Sequence, residues 1–247
     1  MQTDAHIHIL PGIDSGPQDP CEAAAMFNVA YDSGVRTFVA TPHYFCDRES
    51  IPEFLLRRRL AFDRLAKTVG KRIYRVLFLS TAEVMLMPGV STLPDLPSLV
   101  IPGTDLLPVD FPPSDRITAD VMRELAYIVQ KRRLRPLFCH AERHFTLFDP
   151  ERFENQLLAF THGAFMISAH ALPDAELSAV LIRALNNGKE LFLGSNAHGL
   201  RSRASATLSP REELSGYSSF VYRKIAQDTD LFFTRLRKQL SPHLTFT

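Results

Sequence analysis

The chain has 247 residues, a length that a single α/β domain can reach, and its 45% hydrophobic and 22% charged residues are typical of a folded globular protein. A formal net charge of +1 argues against nucleic acid as the main partner, because proteins that bind the phosphate backbone usually carry a strong basic excess. The three cysteines, Cys21, Cys46 and Cys139, are an odd number without close spacing, which predicts free thiols in a reducing compartment.

The sequence also predicts no membrane insertion. No apolar run approaches the roughly 18–20 residues that a membrane span needs. The segment Met1–His6 lacks the basic and apolar regions of a secretory signal. Together with the unpaired cysteines, these features favour a cytoplasmic protein.

Short β-rich apolar runs alternate with longer amphipathic stretches along the chain, which is the pattern of repeated βα units and a mainly parallel sheet. The predicted strands are Gln2–Ile9, Arg36–Thr41, Arg75–Ala82, Leu106–Phe111, Arg135–Cys139, Ala164–Ala169 and Glu190–Ser195. The sequence therefore predicts an α/β fold with seven strands.

Helices are predicted between these strands. The first has Asp19 as a capping residue and Pro20 at its first helical position, and it runs to Gly34. The others are Ile51–Gly70, Thr118–Arg133, Asp149–Gly163, Asp174–Gly188 and the tail Tyr217–Leu240. Seven prolines between Pro88 and Pro113 predict an irregular connection there. No stretch resembles a linker, so residues 1–247 are predicted to form one domain.

The placement of the nine histidines is the most informative feature. Six of them, together with one glutamate, lie at or just after the ends of predicted strands: His6, His8, His43, Glu83, His140, His170 and His198. In a parallel barrel these ends converge on one face. His6 and His8 are two residues apart, so both point to the same side of a strand. His170 alone is interpreted as a hydrogen-bonded histidine of the core or the rim, and His144, His162 and His243 do not follow the pattern.

This combination of side chains predicts a metal site. Imidazole and carboxylate together suit manganese, iron or zinc better than magnesium or calcium, which prefer shells made only of oxygen. The alternative is a histidine-rich rim without metal.

At these residues the chain resembles the PHP (polymerase and histidinol phosphatase) superfamily. Within it, the chain is similar to the bacterial manganese-dependent tyrosine-protein phosphatases of capsule and exopolysaccharide biosynthesis. The motifs that carry the resemblance are Asp4–His8, Pro11–Pro17, Gly34–Thr37, Ala40–His43, Ala82-Glu83, His140–Arg143 and Ser195–His198. The resemblance extends to about Arg203.

The resemblance implies a distorted seven-stranded (β/α)7 barrel, TIM-like and of the PHP type, with up to three divalent ions, manganese first and iron or zinc as alternatives. It also implies a ligand set. One ion would be held by His6, His8 and Glu83, a second by Glu83, His43 and His140, and a third by His198. Arg143 and Arg203 would bind the substrate phosphate, which agrees with the two parallel hydrogen bonds that a guanidinium can donate.

Two positions depart from the pattern of the family. Ser15 and Asn196 stand where the family has aspartate ligands, so a neutral oxygen replaces an anionic one at each position. Fewer than three tightly bound ions are therefore expected, with the Glu83–His43–His140 site filled first. Asp14 is expected to point away from the site, because neighbouring residues on an extended segment point apart.

Three functions remain open from the sequence. The first is a metal-dependent protein-tyrosine phosphatase whose partner is a phosphotyrosine-bearing protein, the tail of a tyrosine kinase of polysaccharide export. The second is a degenerate relative that binds such a partner with little or no turnover, and the third is a phosphatase for a small metabolite such as histidinol phosphate. A cysteine-based phosphatase is excluded, because no arginine lies six residues after any cysteine. No sequence feature indicates an oligomeric state.

Overall fold

The structure is a computed structural model that describes residues 1–112, 118–143, 163–172, 175–200 and 216–241. Within these ranges the chain forms nine short strands, and every strand pair is parallel. The strands are β1 Thr3–Ile7, β2 Thr37–Ala40, β3 His43–Tyr44, β4 Leu77–Ser80, β5 Glu83–Met85, β6 Leu106–Asp110, β7 Arg135–Phe138, β8 Ala164–Ser168 and β9 Glu190–Gly194.

The strands form two sheets, one with the order β1-β2-β4 and one with the order β3-β5-β6-β7-β8-β9. The chain passes from the first sheet into the second twice, once between β2 and β3 and once between β4 and β5. The first interruption contains Pro42, which has no N–H to donate to a ladder. The predicted α/β fold with parallel strands is confirmed. The described strands do not form one continuous ladder of seven.

The last strand and the first one meet at their carboxyl ends. The backbone N–H of Asn196 donates to the His6 carbonyl at 2.8 Å, and that of His8 donates to the Ala197 carbonyl at 3.1 Å. This approach requires a glycine at Gly194, because an added Cβ there would lie 2.4 Å from the His6 Cβ. These hydrogen bonds between the ends of β9 and β1 therefore place the segment after β9 directly beside His6 and His8.

The described ranges contain five α-helices, of which the last follows the final strand: α1 Pro20–Asp32, α2 Ile51–Val69, α3 Ala119–Gln130, α4 Ala175–Asn186 and α5 Gly216–Leu240. Short 3-10 helices cover Gly70–Arg75, Val90–Thr92, Leu96–Leu99, Ala141–Arg143 and Ala169–Ala171. Among the described helices, none is both long and apolar enough to cross a membrane.

The helix predictions are confirmed except for one that lies outside the described residues, Asp149–Gly163. The Asp19 side chain caps α1 by accepting a hydrogen bond from the Cys21 N–H at 2.7 Å. The long helix α2 starts at a reciprocal cap between Ser50 and Glu53. The proline-rich connection is irregular as expected, apart from two 3-10 turns and strand β6.

The apolar core consists of two clusters on opposite faces of the strands. Neighbouring residues alternate between them, since Leu137 belongs to one cluster and Phe138 to the other. The second cluster also contains Phe233 and Leu236 of α5, which are 1% and 3% exposed. The C-terminal helix is therefore packed into the same core as the strands that carry the histidines.

Candidate metal centre

Six of the side chains selected from the sequence converge beyond the strands. His6 is the last residue but one of β1, and His8 comes directly after that strand. The other four follow the ends of β2, β4, β7 and β9. The six are His6, His8, His43, Glu83, His140 and His198. Sequence reasoning thus located a real cluster of side chains, and their role as ligands stays a prediction.

Glu83 occupies the middle of the cluster and is 1% exposed. Its Oε2 lies 3.4 Å from His6 Nε2, 3.2 Å from His8 Nε2 and 3.4 Å from His43 Nδ1. Its Oε1 lies 3.1 Å from His140 Nε2. One buried carboxylate is therefore shared by four imidazoles.

The hydrogen bonding of this cluster is incomplete without a further group. Both carboxylate oxygens of Glu83 are buried with no hydrogen-bond partner among the described residues, and so are the Nδ1 atoms of His6 and His43. Buried polar atoms are nearly always paired, so four unpaired atoms in one cluster call for an explanation. A divalent cation would accept lone pairs from the two Glu83 oxygens, from His43 Nδ1 and from His6 Nε2, the ring nitrogen of His6 that faces Glu83. An imidazole–carboxylate donor set fits manganese, iron or zinc.

The ligand atoms fall into two groups within which all atoms lie within 4.8 Å of one another. One group is His6, Glu83 and His140, and the other is His8, His43 and His198. These groups cut across the ligand sets that the resemblance implies. Since Glu83 Oε2 also lies within 3.4 Å of His8 and His43, its carboxylate faces both groups and is placed to bridge them.

Asp14 faces the cluster, and the expectation that it points away was wrong. Its Oδ2 lies 2.7 Å from His8 Nδ1 and accepts the backbone N–H of His43 at 3.1 Å. Its Oδ1 accepts the N–H of Gly16 at 2.9 Å, so this segment is a tight turn and not an extended strand. The turn lets Asp14 and Ser15 both reach the site. A carboxylate on Nδ1 leaves Nε2 of His8 free to bind a metal ion.

Ser15 and Asn196 contact the same histidine from two sides. The Ser15 hydroxyl lies 3.1 Å from His198 Nδ1, and the Asn196 Oδ1 lies 3.1 Å from His198 Nε2. Asn196 and His140 also have positive φ angles of 53°, an uncommon backbone conformation for residues other than glycine. Such conformations are concentrated at functional sites, where the surrounding structure holds them in place.

Two acidic residues at the site were missed by the sequence analysis. Asp110 ends β6, and its buried carboxyl group has a pKa raised to about 6 by burial and by the negative charge of Glu83. Glu142 lies 3.9 Å from His140 Nδ1 and accepts the Ser168 N–H at 3.2 Å. Asp110 could have been found from the sequence, because it stands near the end of a predicted strand as the histidines do. The signal for Glu142 is its place in the motif His140–Arg143, two residues after a predicted ligand.

Charge is distributed unevenly over the cluster. Burial alone would raise the pKa of Glu83, but contact with His6 and His140 holds it well below its ordinary value. Burial lowers the pKa of His6 to about 4. For His8, burial acts in the same direction, but its contacts with Asp14 and Glu83 outweigh it and raise the pKa to about 9. The metal-free cluster therefore carries both negative and positive charge at neutral pH.

The other predicted residues have different locations. Arg143 is exposed in the 3-10 turn after β7, where its N–H donates to the His140 carbonyl at 2.8 Å and its charge acts on Asp110. His170 is exposed and does not belong to either group of ligand atoms. Arg203, the second predicted phosphate ligand, lies outside the described residues, as do His144, His162 and His243.

Comparison with known proteins identifies the family. The family model for capsular polysaccharide synthesis proteins, CpsB/CapC, matches residues 2–217. The chain belongs to the CpsB/CapC family. Tyrosine-protein phosphatase YwqE from Bacillus subtilis (strain 168) is 26% identical to it over 208 residues, which cover 81% of this chain and 78% of YwqE.

A solved structure gives the same fold for this CpsB/CapC member. It comes from a study of YwqE from Bacillus subtilis and CpsB from Streptococcus pneumoniae, described as unique metal-dependent tyrosine phosphatases. The TM-score is 0.64 at 23% sequence identity, and the match covers 92% of this chain and 94% of the other.

Manganese is expected to stabilise the chelator-treated protein against heat. An ion that binds only the folded state adds about 2.7 kcal/mol per site at a free concentration of 100 times its Kd. We expect the rise in Tm to be smaller in His140→Ala, which removes a ligand from one of the two groups, and unchanged in His170→Ala, a matched histidine outside the cluster. Thermal unfolding with and without manganese measures this. Equal shifts in the two variants would show that the ion binds elsewhere.

Proposed function

We propose that this chain is a metal-dependent protein-tyrosine phosphatase. The observation that carries the proposal is the buried Glu83 carboxylate surrounded by histidines in a member of the CpsB/CapC family. The name of its relative, a tyrosine-protein phosphatase, supports this substrate class. The proposed partner is a phosphotyrosine-bearing protein, the tail of a tyrosine kinase of polysaccharide export.

The proposed cofactor is a set of divalent ions, manganese first. Bound ions of this kind lower the pKa of a coordinated water and neutralise charge on phosphoryl oxygens. The ligands would be the six clustered residues, with Asn196 as a weak neutral ligand next to His198. Asp14 would orient His8 through its Nδ1. Glu142 lies 3.9 Å from His140 Nδ1 and would act on that imidazole through its negative charge.

The remaining groups act on the substrate. Arg143, with Arg203 as its proposed partner, would donate paired hydrogen bonds to the phosphoryl oxygens. The tyrosyl leaving group has a pKa of about 10, so it departs with less protonation than an alkyl alcohol needs. The proposed chemistry assigns no role to a cysteine, because none of the three has an arginine six residues later, and Cys139 is also buried.

The direct test is turnover of a phosphotyrosine peptide by the manganese-loaded full chain. We expect hydrolysis that chelation abolishes and manganese restores, with phosphoserine peptide and histidinol phosphate turned over far more slowly. Cys139→Ser is expected to keep full activity. Faster turnover of histidinol phosphate would favour a small-molecule phosphatase instead.

One observation favours a second candidate, a relative that binds phosphotyrosine without turning it over. Both neutral residues, Ser15 and Asn196, lie within 3.1 Å of a nitrogen of His198. They would weaken any ion held by that histidine, since they supply no negative charge. Micromolar binding of a phosphotyrosine peptide without manganese-dependent hydrolysis would support this candidate over the first.

The same proposal includes the architecture and the location. We propose that the two sheets together form one distorted seven-stranded barrel, which the hydrogen bonds between the ends of β9 and β1 support. We also propose that residues 1–247 are one domain, which the packing of α5 in the core supports. The three cysteines are free thiols, which supports the cytoplasm as the compartment.

Arg143→Lys is expected to lower kcat/KM for the phosphotyrosine peptide by about 10- to 100-fold. Lysine keeps the charge but loses the planar pair of donors, and a hydrogen bond to a charged group contributes about 1.5–3 kcal/mol. The matched control is Arg223→Lys, which changes an exposed arginine on α5. Equal effects of the two substitutions on kcat/KM would remove Arg143 from the phosphate site.

A further inference from the structure

A groove opens directly beside the metal centre, over the first turns of α2. Its volume is about 910 Å³, within the range of small-molecule and peptide pockets. Ser15 and His43 line one end of it, and Phe45, Arg48 and Leu56 line the part beyond. The groove is therefore continuous with the cluster of ligand atoms.

Phe45 is the first aromatic residue beyond the centre. Its ring centroid lies 6.0 Å from that of His43, and His43 Nδ1 lies 3.4 Å from Glu83 Oε2. The ring is half-buried, and the Arg48 guanidinium carbon lies 4.0 Å above it. The Arg48 N–H donates to the Phe45 carbonyl at 3.1 Å, so the two residues form one turn. This packing fixes the ring before any ligand arrives.

Of the two arginines that line the groove, only one is paired with a carboxylate. Arg57 is neutralised by two hydrogen bonds to the Glu49 carboxylate, at 2.8 and 2.5 Å. Arg48 lies over an aromatic ring and forms no ion pair with the described residues. Leu56 adds an apolar side chain that is 61% exposed. The groove also contains the Glu53 carboxylate, which accepts hydrogen bonds from Ser50. Its apolar part next to the centre is formed by Phe45 and Leu56.

We propose that Phe45 and Leu56, with Arg48 holding the Phe45 ring, form the subsite for the aryl ring of the substrate. This inference rests on the proposed function and names the residues that select a tyrosyl over an alkyl phosphate. His43 and Phe45 line the same groove with their ring centroids 6.0 Å apart, so an aryl substituent that extends from a phosphate at the centre into this groove would meet the Phe45 ring. There it would gain both apolar burial and an aromatic pair. Phosphoserine has no ring to make this contact.

The test uses binding of two phosphonates to the manganese-loaded full chain. Benzylphosphonate carries an aryl ring one atom away from phosphorus, and methylphosphonate carries none. We expect Phe45→Ala to weaken benzylphosphonate about tenfold and to leave methylphosphonate and inorganic phosphate unchanged. Phe45→Tyr keeps the ring and is expected to keep the preference. Phe220→Ala is the matched control, because Phe220 is 54% exposed in a separate groove against α4.

Calorimetry gives the affinities, and elemental analysis verifies equal metal content in all variants. An unchanged benzylphosphonate affinity in Phe45→Ala would overturn the subsite, and so would an equal loss for methylphosphonate. Failure of the proposed function has a different signature, namely a natural chain that does not hydrolyse phosphotyrosine peptide. Because the phosphonates are bound and not hydrolysed, the preference for benzylphosphonate and its loss in Phe45→Ala can be measured whether or not the chain is an active phosphatase.

Discussion

Glu83→Gln is expected to remove metal binding from the centre and to lower phosphotyrosine turnover by about 10³-fold or more. Glutamine keeps the size of the side chain and one oxygen, but it loses the negative charge and the second equivalent oxygen. Both oxygens of Glu83 face imidazoles of the cluster, and no other carboxylate in the described chain contacts four of them. The substitution therefore also removes the carboxylate that is placed to bridge the two groups of ligand atoms.

The control for this change is Glu176→Gln, which neutralises an exposed glutamate on α4. Metal content by elemental analysis and turnover at saturating manganese are the two measurements. The metal-free proteins give a third readout, because the lowered pKa of Glu83 means that its charge is balanced by positive histidines such as His8. We expect chelated Glu83→Gln to be less heat-stable than the chelated natural chain, since the buried positive charge then loses its partner. A variant that retains its metal and its activity would place the centre elsewhere.

The fold was predictable because its signals are local. Each of the seven predicted strands overlaps an observed one, and capping residues such as Asp19 and proline positions such as Pro20 act over a few residues. The convergence of His6, His140 and His198 followed from a general property of parallel strands, whose carboxyl ends share one face. Neither inference required contacts between distant residues to be known in advance.

The details that sequence reasoning missed depend on such contacts. The division into two sheets arises where β2 and β4 end after four residues each and the chain continues in β3 and β5, which belong to the other sheet. No periodicity of the sequence marks these breaks. The direction of Asp14 was wrong because the turn that redirects it is closed by Gly16 and by contacts with His8 and His43. Gly16 itself must be a glycine, since an added Cβ would lie 2.6 Å from the His8 carbonyl oxygen.

Restoring the two missing carboxylates is expected to increase both metal binding and turnover. Ser15 and Asn196 each lie 3.1 Å from a nitrogen of His198, so the Ser15→Asp, Asn196→Asp variant places two negative charges around that imidazole. Carboxylates at a metal site typically change metal affinity by about 10- to 100-fold. We expect metal stoichiometry to rise toward three and turnover of phosphotyrosine to rise with it.

The two single variants are expected to differ from each other. Ser15 approaches Nδ1 of His198 and Asn196 approaches Nε2, and one imidazole presents a single nitrogen to an ion while the other is held by a hydrogen bond. The aspartate next to the His198 nitrogen that binds the ion is expected to increase metal stoichiometry. The aspartate next to the other nitrogen is expected only to orient the imidazole ring. Asn196 also lies 3.5 Å from His140 Nδ1, toward the Glu83 group, so Asn196→Asp is expected to give the larger gain.

The measurement is metal stoichiometry and turnover for the natural chain, both single variants and the double variant at saturating manganese. The Ser98→Asp, Asn187→Asp chain is the matched control, because it adds the same charge at two exposed positions away from the centre. Three tightly bound ions and full turnover in the natural chain would contradict the argument and would show that neutral oxygens suffice, with Asp14 supplying charge through His8. A double variant that gains metal without gaining turnover would instead favour the binding protein, because the missing charge would then not be what limits the chemistry.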